Sequence, residues 1–224
     1  KMMRPILVLL LAKLQGEIKP ETLYAAVSLE LLHTASLVHD DVVDESGIRR
    51  GQQSVNALFD NKLSVLVGDF LLATSLMQVS KTRNFSIIDV VSRLGQQLAE
   101  GEILQLSNVE NKEFSEEVYF NIIYKKTAAL FAACAKAAAL SSDASDEVVR
   151  QMTRFGELLG ICFQIKDDIF DYSRSSAIGK PTGNDMLEGK LTLPALFVLN
   201  YKSTPQLVSL ALRVKEGSAT QDDI

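Results

Sequence analysis

The sequence has no tryptophan, two cysteines, two histidines, five prolines and twelve glycines in 224 residues. Each shortage excludes something. Cys134 and Cys162 make no disulfide framework; both read as core residues, and a reducing cytoplasmic setting fits them. With only His33 and His39 there is no Ser-His-Asp or Cys-His constellation for nucleophilic catalysis. A ferritin-like di-iron bundle needs two Glu-x-x-His motifs, and Glu30-Leu31-Leu32-His33 has no second copy. No 18 consecutive apolar residues occur, so no transmembrane helix is predicted. Lys1-Met2-Met3-Arg4-Pro5 lacks the cleavage site of a secretory signal. The net charge of −5 gives no general reason to expect nucleic acid. The start at Lys1 and the end at Ile224 read as truncation rather than natural termini.

What is present is apolar and helical. With 47% apolar and 23% charged residues the chain can bury a substantial core, and a single domain over 1–224 is expected. Glycine and proline cluster between segments of helical periodicity, and strand-like alternation is nearly absent, so the fold is predicted all-α. Helices are expected near 5–15, 20–45, 61–80, 86–108, 115–140, 145–172, 191–201 and 205–216. The segment from Thr127 to Leu140 is apolar on every side and should be buried all round. Ser145 or Asp146 should open the following helix, and Gly179 to Gly189 forms a polar loop.

The chain is organised around Leu29 to Asp44, an apolar stretch without Pro or Gly that ends in His39-Asp40-Asp41-Val42-Val43-Asp44. On a helix Asp40 and Asp44 share one face, with Asp41 about 100° round. Carboxylates so placed repel one another and oppose the macrodipole at a helix C-terminus, so stability alone does not select them. A hard divalent cation is one explanation and a solvated acidic helix end is the other. The pattern recurs: Phe155 to Ile165 leads into Lys166-Asp167-Asp168-Ile169-Phe170-Asp171. Two copies are hard to assign to solvation alone. If the two helices face each other, acidic clusters bracket a cleft with apolar walls. Lys1, Arg4, Arg49, Arg50, Lys125, Lys126, Lys180 and Lys190 would each pass singly as solvated charges, but together they suit phosphate binding. His33 and His39 could equally be structural, Gln164 a surface amide, and Thr127 a residue bonding back to its own helix.

His33-Thr34-Ala35-Ser36-Leu37-Val38-His39-Asp40-Asp41-Val42-Val43-Asp44, Arg49-Arg50-Gly51, Gly68-Asp69, Lys126-Thr127, Phe163-Gln164-Ile165-Lys166-Asp167-Asp168-Ile169-Phe170-Asp171, Gly179-Lys180 and Gly189-Lys190 occur in the order found in the trans-isoprenyl diphosphate synthases, or polyprenyl synthetases. The resemblance runs from Lys1 to about Leu199. The wording of Val43-Asp44-Glu45-Ser46 and Ile169-Phe170-Asp171-Tyr172 is most like the octaprenyl-type, long-chain branch. The family pattern carries Gly-Gly before the lysine that stands here as Lys1, and further helices at both ends.

The resemblance implies an all-α, isoprenoid-synthase-type bundle of mostly antiparallel helices around a deep central cavity, usually homodimeric. It implies that Asp40, Asp41, Asp44, Asp167, Asp168 and Asp171 hold about three Mg²⁺ ions on an allylic diphosphate. Arg49, Lys126, Thr127, Gln164, Lys180 and Lys190 would contact that diphosphate or its metals; Lys1, Arg4, His33 and Arg50 would bind isopentenyl diphosphate. The implied reaction condenses the two into a long all-trans polyprenyl diphosphate and releases pyrophosphate, with Asp40, Asp44, Asp167, Lys126 and Arg49 central to it. Geranylgeranyl diphosphate synthesis is the alternative. A terpene cyclase would carry a different second metal motif, and a non-catalytic synthase subunit would have lost aspartates. No nucleic-acid partner is implied, and at most peripheral membrane association for product release. Chain length is expected from the face below Asp40, where Ser36 lies roughly 6 Å and Leu32 roughly 12 Å down the helix. Ala35 and Ser36 are small where a bulky aromatic would stop growth early. Phe70, Ala73, Leu76 and Met77 are expected to line the neighbouring wall, with Leu76 or Met77 as a deeper floor.

Overall fold

The computed structural model describes residues 2–49, 51–110, 114–172, 183–220 and 222–224. The elements are α1 (Met3–Gln15), α2 (Pro20–Val43), a two-stranded hairpin of β1 (Ile48–Arg49) and β2 (Gln52–Gln53), α3 (Val55–Leu58), α4 (Asn61–Ser80), α5 (Phe85–Glu110), α6 (Glu116–Ile123), a π turn (Tyr124–Ala128), α7 (Ala129–Ser141), α8 (Asp146–Asp171), α9 (Asn184–Leu187), α10 (Leu193–Tyr201) and α11 (Pro205–Lys215). The all-α expectation holds. Helix starts are set by local chemistry: Asp60, Ser115, Ser145 and Thr204 each accept a first-turn N–H. Pro20, Pro194 and Pro205 stand where the first turn has no partner for an N–H.

The chain divides into two compact units, Lys1–Leu98 with Ala129–Glu157, and Ala99–Ala128 with Leu158–Ile224. In the first, α2 packs on α4, α1 and α7. Ser28 lies opposite Ser75 and His39 opposite Val65, so α2 and α4 run antiparallel. Their approach is close because α4 presents Ser64, Gly68, Ser75 and Val79, a stripe of mostly small residues. Ser28 and Ser75 are fully buried, and each hydroxyl donates to the other's carbonyl, at 2.9 and 2.8 Å. A Cβ at Gly68 would fall 2.2 Å from His39 Nε2, so this crossing requires glycine there. α7 is buried almost throughout, as its composition predicts. In the second unit Tyr119, Ile123 and Leu196 form a core flanked by Phe114, Ile161, Ile165, Leu191 and Leu193. Burying each large apolar side chain contributes about 1.5–3 kcal/mol.

Two expectations change. The helix read over 115–140 is α6, a π turn and α7. Cys134 is buried, and burial pushes its thiol up to about 12, but Cys162 is exposed on α8 rather than in the core. α4 is long and apolar enough, by length and composition, to pass as a membrane span (mean hydropathy 1.5) although no uninterrupted apolar run occurs; charged Lys62 and Asp69 break the run. The hairpin, α3 and α9 were not anticipated.

Candidate functional site

In the first unit the acidic motif ends α2, with Asp44 as its C-cap. Its carboxylates diverge. Asp40 is half-buried and Asp44 exposed, whereas Asp41 is 3% exposed. Asp41 Oδ1 accepts from Arg49 Nε at 2.6 Å, a charge-assisted bond that offsets its desolvation. The Asp41 carbonyl accepts from Ser46 N at 2.9 Å and Asn56 Nδ2 at 3.1 Å, and Ser54 Oγ donates to the Ser46 carbonyl at 2.6 Å. The hairpin carrying Arg49 is thus pinned to the end of α2 by Asp41. His39 Nε2 contacts the Val65 carbonyl at 3.2 Å and Asp69 at 3.4 Å, which gives this histidine a structural place. Arg4 is half-buried on α1 and His33 buried on α2. Lys1, Arg50 and Lys180, expected at diphosphates, lie outside the described residues.

Below the motif Ala35 and Leu32 are buried, and Ser36 is half-buried with its hydroxyl donating to the His33 carbonyl at 2.9 Å. The wall expected from α4 does not form against α2. Ala73 and Met77 lie on the side of α4 away from the Ser64–Gly68–Ser75 stripe and Leu76 on its flank, and all three are exposed, as is Phe70. The small residues, not the bulky ones, are what the helix pair can bury. A Cβ on Gly95 of α5 would instead stand 3.7 Å from Leu32 Cδ1, a neighbour the sequence did not single out.

In the second unit a cavity of about 230 Å³ is lined by Tyr119, Lys126, Thr127, Gln164, Asp168, Asp185 and Lys190, among others. Lys126 stands in the π turn, a local widening often found at functional sites. It pairs with Glu102 and donates to Gln105 Oε1 at 3.1 Å, while Lys125 pairs with Glu100. Gly101 permits this: a Cβ there would fall 2.8 Å from Lys125 Cβ and 2.9 Å from Lys126 Cγ. Asp168 is 3% exposed and takes hydrogen bonds from Tyr119 Oη at 2.5 Å and Gln164 Nε2 at 2.7 Å; Thr127 Oγ1 donates to Gln164 Oε1 at 2.7 Å. Burial pushes the Asp168 carboxyl up, its two donors oppose that, and Asp167 and Asp171 reinforce it. Asp167 is exposed and Asp171 half-buried. Asp171 Oδ2 accepts from Asp185 N at 3.2 Å, and the Asp185 carbonyl accepts from Lys190 N at 2.7 Å. Lys190 Nζ pairs with Glu188 at 2.6 Å. Burial, then Asp171 and Asp168, push Asp185 up to about 7.

Tyr119, Glu102, Gln105 and Asp185 went unnamed in the sequence. Asp185 had a signal, its place between Gly183 and Gly189-Lys190; a tyrosine within an apolar helix has none. Among the described residues no three or more His, Cys, Asp or Glu side chains converge as a ready-made cage. The donors at both helix ends are nonetheless all oxygen. That fits Mg²⁺, which takes one or two carboxylates and completes its shell with water and substrate phosphates.

A sequence model of the polyprenyl synthetases matches residues 1–224. The octaprenyl diphosphate synthase of Haemophilus influenzae is 38% identical over 218 residues, covering 97% of this chain and 66% of that protein. The chain thus spans just under two thirds of that curated relative's length. A crystal structure of a geranylgeranyl pyrophosphate synthase from Bacteroides thetaiotaomicron is 63% identical, covering all of this chain and 70% of that one, with a TM-score of 0.88. A decaprenyl diphosphate synthase structure from Rhodobacter capsulatus is 40% identical, covering 99% and 69%, with a TM-score of 0.93. Two Asp-rich helix ends, a lysine-bearing turn and these likenesses agree: the chain has the isoprenoid synthase fold and belongs to the polyprenyl synthetase family of trans-prenyltransferases.

Proposed function

We propose that residues 1–224 work as one domain of a cytoplasmic, Mg²⁺-dependent trans-prenyltransferase. It condenses isopentenyl diphosphate with an allylic diphosphate into a long all-trans polyprenyl diphosphate, near octaprenyl. The observation that carries this reading is the pair of Asp-x-x-x-Asp helix ends in which the outward carboxylates, Asp40 with Asp44 and Asp167 with Asp171, stand less buried than the inward Asp41 and Asp168. Mg²⁺, about three ions once substrate is bound, supplies Lewis-acid neutralisation of the charge on departing pyrophosphate. Asp40, Asp44, Asp167 and Asp171 are the proposed ligands. Arg49, Lys126, Gln164 and Lys190 hold the allylic diphosphate, joined by Lys180; Arg4 and His33 hold isopentenyl diphosphate, joined by Lys1 and Arg50. The allylic C–O bond breaks with its electron pair leaving on pyrophosphate, the isopentenyl double bond attacks the cation, and a proton is lost to pyrophosphate. The chain's part is to position the reactants and keep water away.

The small Ala35 and Ser36, and the octaprenyl and decaprenyl synthases among its relatives, support a long product. A second reading, a product that stops at geranylgeranyl, is favoured by the name of the 63%-identical Bacteroides thetaiotaomicron structure. A homodimer is supported by Leu66, Phe70 and Met77, which are 63%, 70% and 60% exposed along one side of α4 and form an apolar strip that a second copy would cover. Product release calls for no more than peripheral contact with a membrane. The test is Asp40→Ala, Asp44→Ala and Asp167→Ala. Each should lower turnover at least about a hundredfold while leaving the fold intact. EDTA should abolish activity and Mg²⁺ or Mn²⁺ restore it. Near-normal rates in all three variants, or a requirement for zinc, would refute the site.

A further inference from the structure

We propose that Tyr119 and Asp168 are a positioning pair: they orient the Gln164 amide and, through it, the Thr127 hydroxyl, so that Asp168 serves allylic diphosphate binding without ligating Mg²⁺. This rests on the functional reading above. Both Asp168 oxygens are engaged, Oδ2 by Tyr119 at 2.5 Å and Oδ1 by Gln164 at 2.7 Å, in a residue 3% exposed. Its neighbour Asp167 is exposed. The NH₂ end of Gln164 faces Asp168 Oδ1 and its Oε1 faces Thr127 Oγ1. Thr127 Oγ1, 2.7 Å away, therefore commits its single proton to Gln164. What this leaves for a phosphate oxygen is the second Gln164 N–H, beside the Lys126 ammonium that Glu102 and Gln105 already engage; both residues line the cavity, and the threonine offers only lone pairs. Reversing the amide would set Gln164 Oε1 against Asp168 Oδ1, acceptor against acceptor, and turn an N–H toward Thr127, inverting the set. The anchor itself is rigid because the Tyr119 ring is packed with Ile123 and Leu196.

Tyr119→Phe keeps the ring and removes only the donor; Asp168→Asn keeps one acceptor for Gln164; Asp168→Ala removes the anchor; Asp167→Asn is the metal-ligand control. Two readouts are taken on the whole protein: calorimetric binding of inorganic pyrophosphate across a Mg²⁺ series, and KM and kcat for the allylic substrate. Loss of one such hydrogen bond should weaken pyrophosphate binding and raise the allylic KM by about three- to tenfold in Tyr119→Phe and Asp168→Asn, and more in Asp168→Ala. The Mg²⁺ half-saturation should stay within about twofold of wild type, in contrast to Asp167→Asn. A Tyr119→Phe protein that melts earlier yet binds pyrophosphate as wild type does would reduce the contact to core packing and overturn the proposal. So would an Asp168→Asn protein whose Mg²⁺ half-saturation rises as far as that of Asp167→Asn. If wild type elongates no primer, the functional reading fails by itself, and the pyrophosphate series still decides the pair.

Discussion

Aspartates adjacent in sequence take different work because a helix turns about 100° between them. In both motifs the middle carboxylate faces its own unit: Asp41 holds Arg49, and Asp168 is held by Tyr119 and Gln164. The outer ones, Asp40, Asp44, Asp167 and Asp171, are less buried and are the proposed metal ligands. Asp185 belongs to the same economy of charge. It is pushed up to about 7 chiefly by burial, with Asp171 and Asp168 adding to the shift. An acid whose carboxyl titrates higher when folded than when unfolded binds more protons in the native state between about pH 4 and pH 7. Its contribution is therefore full below about pH 4 and is lost as pH rises toward 7. In EDTA, the stability of the metal-free protein should decline over that interval and level off above it. Asp185→Asn should flatten the decline, as measured by urea unfolding at fixed pH values. An unchanged slope would show that Asp185 does not titrate there.

At the scale of elements, α2 and α4 are joined through small residues and one histidine. Gly68→Ala should drive the His39 ring from its place and destabilise the protein by about 1–3 kcal/mol. In a His39→Ala background the same substitution should cost much less, because the clash is gone; equal costs in both backgrounds would mean that His39 does not set the requirement. Much at this scale was legible in the sequence. The eight long helical segments, the buried Thr127–Leu140 stretch and both acidic helix ends follow from apolar period and punctuation. The π turn was not legible, since one residue inserted into a helix leaves its composition unchanged; only the contact of Gly101 with Lys125 and Lys126 makes its purpose visible. The side of α4 that packs on α2 was not legible either, because it is made of small residues. Phe70, Leu76 and Met77 were expected on a cavity wall, yet the residues of α4 that are buried are Ser64, Gly68, Ser75 and Val79. Cys162 was read as core from its apolar character, but it is exposed on α8.

For the whole molecule the question is how long a tail grows before it stops. The small Ala35 and Ser36 of α2 leave the upper floor open, and Leu32, next to Gly95 of α5, lies deeper on α2. Ser36→Phe or Ala35→Phe should shorten the product toward farnesyl or geranylgeranyl without abolishing condensation. Unchanged length in both would place the floor elsewhere. The measurement that bears most directly on the central claim is chain-length analysis of the product that wild-type protein makes from labelled isopentenyl diphosphate and a farnesyl primer with Mg²⁺. The account predicts all-trans polyprenyl diphosphates longer than geranylgeranyl, centred near octaprenyl, with pyrophosphate released at each addition. No elongation of the primer, or a product that ends at geranylgeranyl, would contradict it.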